Sequence, residues 1–314
     1  MKEVSEAARV ILERGVLCHL AAPSRSGPHL TPVVFAVEGD RVWGTTGRGT
    51  TKARRWRRDG RAAGLVRVGD GWVSFRGPVT FYDLLDPSTW ADSIRRIREV
   101  TAASARFTMK NARFFAGYAR DAARVPLAWT PPARVLFSVD LEAGVVAEGD
   151  RVMERWGRWG RRIEGVPAYR AVRDPAPNGD LPDGVRALLT DHGEGTLAVE
   201  GRHGPVVLPA RWTRSEGTFL VLVPRRILAL AAAPPRAPAA LVVEHASRWR
   251  AARMRGLLVR DQAAVFLPDD LTSGRRSLEA AMGGTGVPDT AVVRLRAGSV
   301  VWWEGWASGT VGRS

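Results

Sequence analysis

The chain has little lysine, a single cysteine and no long apolar run. The last two shortages argue against disulfides and membrane-spanning helices. Lys2, Lys52 and Lys110 are the only lysines among its 47 Lys and Arg residues. Cys18 is the only cysteine, so an intramolecular disulfide is impossible and we expect a reducing, cytoplasmic setting. No segment approaches about 18 consecutive apolar residues, and the N-terminus lacks the apolar core of a signal peptide, so we expect no membrane partner. The five histidines show no metal-ligand spacing, so we expect no metal site.

The bulk composition favours a globular protein with an anionic partner. A length of 314 residues is typical of two domains, and 45% hydrophobic with 25% charged residues is typical of a folded chain. The net charge of +15 favours anionic partners such as phosphorylated cofactors. An arginine-rich composition also follows from a GC-rich coding sequence, so the overall charge does not identify a partner by itself.

The first 147 residues have the pattern of an antiparallel barrel with inserted helices, which predicts a mainly β fold with helices (α+β). Short apolar strands alternate with Gly, Pro and Asp turns. Asp86-Pro87 then begins a helical insertion over residues 87–123. Its larger residues fall on one helical face: Trp90, Ile94, Ile97 and Thr101. The strands are predicted at residues 16–21, 30–37, 41–46, 62–68, 72–82 and 134–141, with further helices at 5–14 and after residue 50. Thr50 or Thr51 is predicted to cap the second of these helices.

The second half repeats the first in the same order, at an offset of about 177 residues. We therefore predict three regions, which are a first barrel domain (1–147), a linker or arm (148–184) and a degenerate second barrel domain (185–314). The arm carries Trp156 and Trp159 among arginines, a pattern that could stack on nucleic-acid bases. We expect it instead to pack across the barrels or line a cofactor groove, and we expect no nucleic-acid partner.

The most informative segment is the turn between the third strand and the following helix. It reads Thr45-Thr46-Gly47-Arg48-Gly49-Thr50-Thr51-Lys52 and contains one of the three lysines. A helix N-terminus with hydroxyls, glycines and a lysine offers the donors and positive charge that a phosphate group needs. The same residues would also make an ordinary helix cap with a solvated basic face. In the repeat, Leu228 matches Lys52 and the threonines are absent, so we predict one phosphate site per chain.

In this order, the elements resemble the flavin-binding split-barrel superfamily, whose best-known members are the pyridoxamine 5′-phosphate oxidases. The resemblance is strongest over residues 8–82, extends less well to 147, and is weaker over 187–310. The matching motifs are Gly-Pro-His-Leu-Thr-Pro-Val (27–33), Gly-Asp-Arg-Val (39–42), the threonine–lysine turn and Arg-Asp-Gly-Arg-Ala-Ala-Gly-Leu-Val (58–66).

The resemblance implies two antiparallel six-stranded split β-barrels in tandem. They would form an internal pseudo-dimer within one chain, which could be monomeric, with a flavin-type cofactor in the groove between them. The cofactor-binding residues that it implies are Thr31, Pro32 and Val33 beside the ring, Thr45, Thr46, Thr50, Thr51 and Lys52 at the ribityl-phosphate end, and Trp302, in the last strand of the second repeat, near the ring.

The function that the resemblance implies is an FMN-dependent oxidoreductase acting on an unidentified small molecule. A phosphorylated deazaflavin is the alternative cofactor, and a non-catalytic flavin- or haem-binding protein is the alternative class, with haem the weakest candidate. The sequence identifies no catalytic side chain, because a flavin carries the redox chemistry itself. The end of the chain has Arg294-Leu295-Arg296 where pyridoxamine oxidases carry an Arg-Leu-His-Asp-Arg-like motif, so vitamin B6 oxidation is not expected.

Overall fold

A computed structural model of the chain describes residues 4–24, 27–127, 130, 133–157, 181–201, 204–215, 218–232, 236–247, 250–266 and 289–312. The elements of the first half are α1 (Glu6–Arg14), β1 (Leu17–Ala22), β2 (His29–Glu38), β3 (Arg41–Gly47), α2 (Thr51–Arg58), β4 (Arg61–Val68), β5 (Gly71–Tyr82), α3 (Trp90–Arg95), α4 (Ile97–Lys110), α5 (Ala112–Arg120), β6 (Arg134–Asp140), β7 (Ala143–Glu148) and β8 (Arg151–Trp156). Those of the second half are α6 (Asp183–Arg186), β9 (His192–Gly201), β10 (Gly204–Ser215), β11 (Thr218–Pro224), α7 (Arg225–Leu228), β12 (Arg236–His245), β13 (Arg255–Phe266), β14 (Thr290–Arg296), β15 (Ser299–Glu304) and β16 (Ala307–Gly312).

The two halves have the same sheet topology. In the first, the strands run in the order β4-β1-β2-β3-β6-β5, and pairing of β4 with β5 closes a six-stranded barrel. The long strand β5 also pairs with β7, which carries β8 as an outer strand. In the second half, β12-β9-β10-β11-β14-β13 closes in the same way and β15-β16 extends it. The prediction of a mainly β fold with two antiparallel six-stranded barrels is therefore confirmed.

By its contacts the chain divides into two compact units, each containing one barrel. One unit comprises Met1–Ala22, Pro32–Trp159 and Ser247–Ala252, and the other comprises Pro23–Thr31, Gly160–Ala246 and Arg253–Ser314. The predicted pairing of the barrels into an internal pseudo-dimer stays a prediction.

The interior of the first barrel is filled by apolar side chains from every strand and from the inner faces of α1 and α2. Ser5 caps α1 by accepting a hydrogen bond from the backbone N–H of Ala8. The helix then buries Ala8 and Leu12 against the barrel. On α2, the buried residues are Lys52, Ala53 and Trp56, so the inward face of this helix includes a lysine.

The helical insertion differs from its prediction in which face is buried. The helix breaks between Arg95 and Ile97, and the residues expected to share a face are exposed: Trp90, Ile94, Ile97 and Thr101. The insertion instead packs on the barrel through Val100 and Ala103 of α4, which meet Trp43 and Tyr82. Ile94 and Ile97 satisfied a helical spacing, but spacing alone does not say which side of a helix meets the barrel.

The predicted arm at 148–184 begins with regular structure. Residues Arg151–Trp156 form β8, and the indole of Trp156 is buried and donates a hydrogen bond of 2.9 Å to the carbonyl oxygen of Leu141. Because that ring is part of the first barrel's core, it is not available for stacking on a nucleic-acid base. Residues 158–180, including Trp159, lie outside the described residues.

Within the part of the chain that the structure describes, the helices are all too short or too polar to cross a lipid bilayer.

Replacing Gly77 by alanine is expected to destabilise the first barrel. A Cβ at this position would lie 1.9 Å from the backbone oxygen of Asp140, which cannot move as a flexible side chain would. Overpacking of this kind lowers the free energy of unfolding by about 1–3 kcal/mol, measurable by urea denaturation. Gly49 provides the matched control, because a Cβ there meets nothing within 4 Å. Equal stability of Gly77→Ala and Gly49→Ala would contradict this packing argument.

Candidate functional site: the turn between β3 and α2

Thr50 organises the turn between β3 and α2. Its side-chain oxygen caps the helix by accepting a hydrogen bond from the backbone N–H of Ala53, at 3.3 Å. The same hydroxyl donates to the carbonyl oxygen of Gly47, at 2.9 Å, and the Thr50 backbone N–H donates to that oxygen as well. The predicted cap is therefore present, and Thr50 rather than Thr51 provides it.

The hydroxyl protons of this turn can be assigned from these contacts. A threonine hydroxyl has one proton, and that of Thr50 goes to Gly47. In the 3.1 Å contact between the side-chain oxygens of Thr46 and Thr50, Thr46 must therefore be the donor. Thr46 is also buried. Both hydroxyls thus donate their protons to hydrogen bonds within the turn, so hydrogen bonds to a ligand would have to come from other groups.

Arg134, the first residue of β6, holds the side chain of Thr45 on the neighbouring strand. Its Nε and Nη2 atoms donate to the Thr45 hydroxyl oxygen at 3.0 and 2.9 Å, and Nη2 also donates to the Thr45 carbonyl oxygen at 2.9 Å. Since Thr45 accepts from Arg134, its own proton points elsewhere. Burial lowers the pKa of Arg134 from its ordinary value, and Tyr118 of α5 acts in the opposite direction.

Lys52 lies on the buried face of α2, and its side chain is only 6% exposed. Its Nζ atom lies 5.5 Å from the ring centroid of Trp56, one helical turn further on. Burial and, to a smaller extent, the positive charge of Arg134 lower the pKa of Lys52 to about 7, although Cys18 acts in the opposite direction. Burial likewise raises the pKa of Cys18, whose thiol lies in the barrel core. Lys52 and Arg134 are thus both desolvated, and the charge of Arg134 acts on Lys52.

Asp83 stabilises the turn through hydrogen bonds with two arginines. This carboxylate is 2% exposed and accepts hydrogen bonds of 2.8–3.0 Å from Arg48, and one of 3.4 Å from Arg57 of α2. Arg57 also donates to the carbonyl oxygen of Arg48. The hydrogen bond from Arg48 holds the pKa of Asp83 below its ordinary value, although burial acts against it. Arg48 and Arg57 are therefore committed to holding the turn.

The other residues implied by the resemblance occupy different places. Thr31, Pro32 and Val33 are half-buried on β2, next to β3 in the sheet. Trp302 lies on β15, which is the last strand but one because β16 follows it, and this corrects its predicted place. It pairs with Gly309, where a Cβ would lie 2.7 Å from the indole ring. The roles of these four residues beside a ring stay predictions.

The second barrel has a different turn at the corresponding place. Its helix α7 is four residues long, follows β11 without an intervening loop, and has no side-chain cap. It buries Ile227 and Leu228, whereas α2 buries Lys52. The residues that end the preceding strand are Leu222, Val223 and Pro224. The polar turn thus occurs in the first barrel and not in the described part of the second.

Two residues of the site were not identified from the sequence. Arg134 is one of 44 arginines and only the pairing of β3 with β6 brings it to Thr45. Asp83 follows a predicted strand and precedes a predicted insertion, and an acid so placed usually faces solvent. Among the described residues, no group of three or more His, Cys, Asp or Glu could hold a metal ion.

The chain is similar to solved structures of about half its length. General Stress Protein 26 from Bacillus anthracis is 12% identical with a TM-score of 0.33, covering 49% of this chain and 97% of the other. A FAD-binding protein from Mesorhizobium loti is 17% identical with a TM-score of 0.31, covering 47% and 98%. An F420 reductase is 22% identical with a TM-score of 0.30, covering 45% and 98%. No protein-family model and no curated protein matches the chain.

Replacing Asp83 by asparagine is expected to loosen the turn. The change removes the charge that Arg48 and Arg57 share and should lower the free energy of unfolding by about 1–3 kcal/mol at pH 7. Because the folded protein lowers the pKa of Asp83, this stabilisation is present above the unfolded pKa of about 4. It is lost as the pH falls through the lower folded value. Urea denaturation at pH 7 and at acid pH measures it, and a deficit that did not shrink in acid would contradict the assignment.

Replacing Lys52 by methionine is expected to stabilise the protein without ligand. With a folded pKa of about 7 and an unfolded pKa near 10.4, burial of the lysine costs about 3–5 kcal/mol below pH 7. That cost decreases as the pH rises from 7 to about 10, because the folded protein then releases the proton first. The advantage of Lys52→Met over wild type should therefore be largest below pH 7 and decrease above it, as measured by urea denaturation.

Arg54 is exposed on the same helix and provides the control for that comparison. Arg54→Met should change the free energy of unfolding by less than about 0.5 kcal/mol. If the gain in the free energy of unfolding of Lys52→Met were independent of pH, or if the variant were less stable than wild type at pH 6, burial of the amine would not be costly.

Proposed function

We propose that the turn between β3 and α2 binds the phosphate end of a flavin-type cofactor and that the protein acts as an oxidoreductase on a small molecule. FMN is the first candidate, because its phosphate is a terminal group that a compact turn can surround. A phosphorylated deazaflavin is the second. The two solved structures described as a FAD-binding protein and an F420 reductase make both types of cofactor worth testing.

The observation that carries this proposal is the pair of desolvated cations at the turn. Lys52 is buried, its pKa is lowered by burial and by Arg134, and a doubly negative group beside them would favour their charged forms. The residues present fit a phosphate: two cations, the proton of the Thr45 hydroxyl and the N-terminus of an eight-residue helix. The second barrel, which has aliphatic residues on its short helix, supports the view that the fold itself does not require this lysine.

When bound, a flavin supplies hydride transfer at its N5 position. The residues of this chain would bind and orient it: Lys52 and Arg134 would neutralise the phosphate, and Thr50 and Asp83 would hold the turn in place. Apolar and backbone groups of β2 at Thr31, Pro32 and Val33 would lie along the ring, as the resemblance implies. A protein that binds the cofactor without catalysis has the same site and differs only in lacking turnover.

Lys52→Met is expected to weaken FMN binding about 10- to 100-fold, which corresponds to the loss of a charged hydrogen bond of about 1.5–3 kcal/mol. Flavin fluorescence or isothermal titration of the full chain with FMN measures this. Together with the stability comparison above, we expect Lys52→Met to be more stable than wild type and to bind FMN less tightly.

Leu228→Ala is the matched control in the second barrel. It removes a buried aliphatic side chain and should lower stability by about 2–5 kcal/mol while leaving the FMN affinity within about twofold. If Lys52→Met and wild type bound FMN equally well, the phosphate assignment would be wrong. Titration with a phosphorylated deazaflavin in parallel distinguishes the two cofactors, and a substrate-dependent change in flavin absorbance distinguishes an enzyme from a binding protein.

A further inference from the structure

The last strand of each half lies at the edge of its sheet. Among the described strands, β8 pairs with β7 alone and β16 pairs with β15 alone, so each has one row of backbone N–H and C=O groups on its outer side. Such an edge is a template for pairing with another chain. Proteins normally protect it with charged residues, proline, a bulge or a covering segment.

The edge strand of the first half, β8, is protected in two of these ways. It carries three exposed charged residues, which are Arg151, Glu154 and Arg155. Its pairing with β7 also shifts register between Val146 and Ala147, so the edge is bulged as well. Both features oppose the addition of a further strand.

The edge strand of the second half, β16, has no such protection. It reads Ala-Ser-Gly-Thr-Val-Gly over Ala307–Gly312, which is six residues without a charge or a proline. It pairs with β15 in a continuous register, without a bulge. The exposed residues of this strand are Ala307, Ser308, Thr310 and Gly312. An exposed, uncharged and regular edge of ordinary length is a predicted site of strand pairing.

The hairpin geometry shows which backbone groups of β16 are directed to the open edge. β15 ends at Glu304 and β16 begins at Ala307, so a two-residue turn joins them and this flanking pair exchanges both backbone hydrogen bonds. In an antiparallel ladder, such pairs alternate with pairs that exchange none. The backbone N–H and C=O groups of Ser308 and Thr310 are therefore directed away from β15.

We propose that β16 pairs in antiparallel fashion with β16 of a second copy of this chain, across a two-fold axis at Gly309. In this register Ser308 of each copy lies opposite Thr310 of the other, so the backbone groups directed to the open edge meet each other. The register uses the extended residues that precede Gly312, where a φ of 106° ends the regular strand. The inference is independent of the cofactor site.

The side chains of β16 favour its own copy as the partner. A serine opposite a threonine makes a stabilising cross-strand pair, and the two-fold axis produces that pair twice. At the axis two glycines meet, in the kind of pair where the strands approach most closely. The indole of Trp302 lies over Gly309, within 2.7 Å of the place that a Cβ would occupy. The two indoles would therefore flank the glycine pair and bury apolar surface there.

Sedimentation equilibrium of the full chain tests the pairing. A single strand pair is a smaller interface than the about 1,200–2,000 Å² of a stable complex, so we expect wild type to dimerise with a micromolar dissociation constant. Thr310→Lys should weaken dimerisation at least about tenfold, because the two lysines would lie diagonally across the axis and repel each other. Thermal unfolding verifies that the variant folds.

Met153→Lys is the matched control, because it adds the same charge to the protected edge strand β8, at an exposed position. It should leave the dissociation constant within about twofold of wild type. A wild type that stays monomeric up to about 1 mM would overturn the inference, and so would dimerisation that Thr310→Lys leaves unchanged. A β16 that instead pairs with a strand of another protein would give the first of these results.

Disulfide cross-linking tests the register. Cys18 is buried and does not compete with a cysteine placed on the edge. Oxidation of an equal mixture of Ser308→Cys and Thr310→Cys chains should give more disulfide-linked dimer than either variant alone, because each position lies opposite the other and not opposite itself. Equal cross-linking of the mixture and of the single variants would overturn the proposed two-fold pairing at Gly309.

Discussion

The burial of one ammonium group is the constraint on which the candidate site depends. Lys52 lies on the buried face of α2 beside the ring of Trp56, and burial is the main reason that its pKa falls to about 7. Water can no longer solvate the charge, so the folded protein holds it at a cost. In a chain that uses arginine almost everywhere else, the choice of lysine is also informative. An ammonium group can lose its proton when no anion is present, whereas a guanidinium stays charged.

The second barrel shows what the fold requires in the absence of that constraint. The order of its strands repeats that of the first barrel, so both barrels must fill their interiors in the same topology. At the corresponding turn it has a four-residue helix that buries Ile227 and Leu228 and lacks a side-chain cap. Aliphatic side chains fill such a place at no electrostatic cost. The polar turn of the first barrel is therefore an addition to the fold, and additions that reduce stability are typical of functional sites.

The sequence was sufficient for the architecture and for the location of the turn. Alternating strands, Gly and Asp turns and an internal repeat predicted two barrels, and the threonine pair predicted a cap of α2 at Thr50 or Thr51, which the structure has at Thr50. It was not sufficient for the partners across the sheet, because the pairing of Arg134 with Thr45 joins residues 89 apart. The buried face of the helical insertion was predicted wrongly for a similar reason. Helical spacing groups residues such as Trp90 and Ile94, but only the tertiary contacts of Val100 and Ala103 say which face is buried.

Different residues of the turn fix its backbone and carry its positive charge, and this bears on how a phosphate would be held. The hydroxyls of Thr46 and Thr50 donate within the turn, and the Asp83 carboxylate restrains Arg48 and Arg57. These groups set the shape of the backbone before any ligand arrives. Positive charge at the junction of β3, β6 and α2 comes from Lys52, on the buried face of α2, and from Arg134, which holds Thr45. Because that junction is pre-organised, an anion would need to order little on binding, and its charge rather than its shape would decide the affinity.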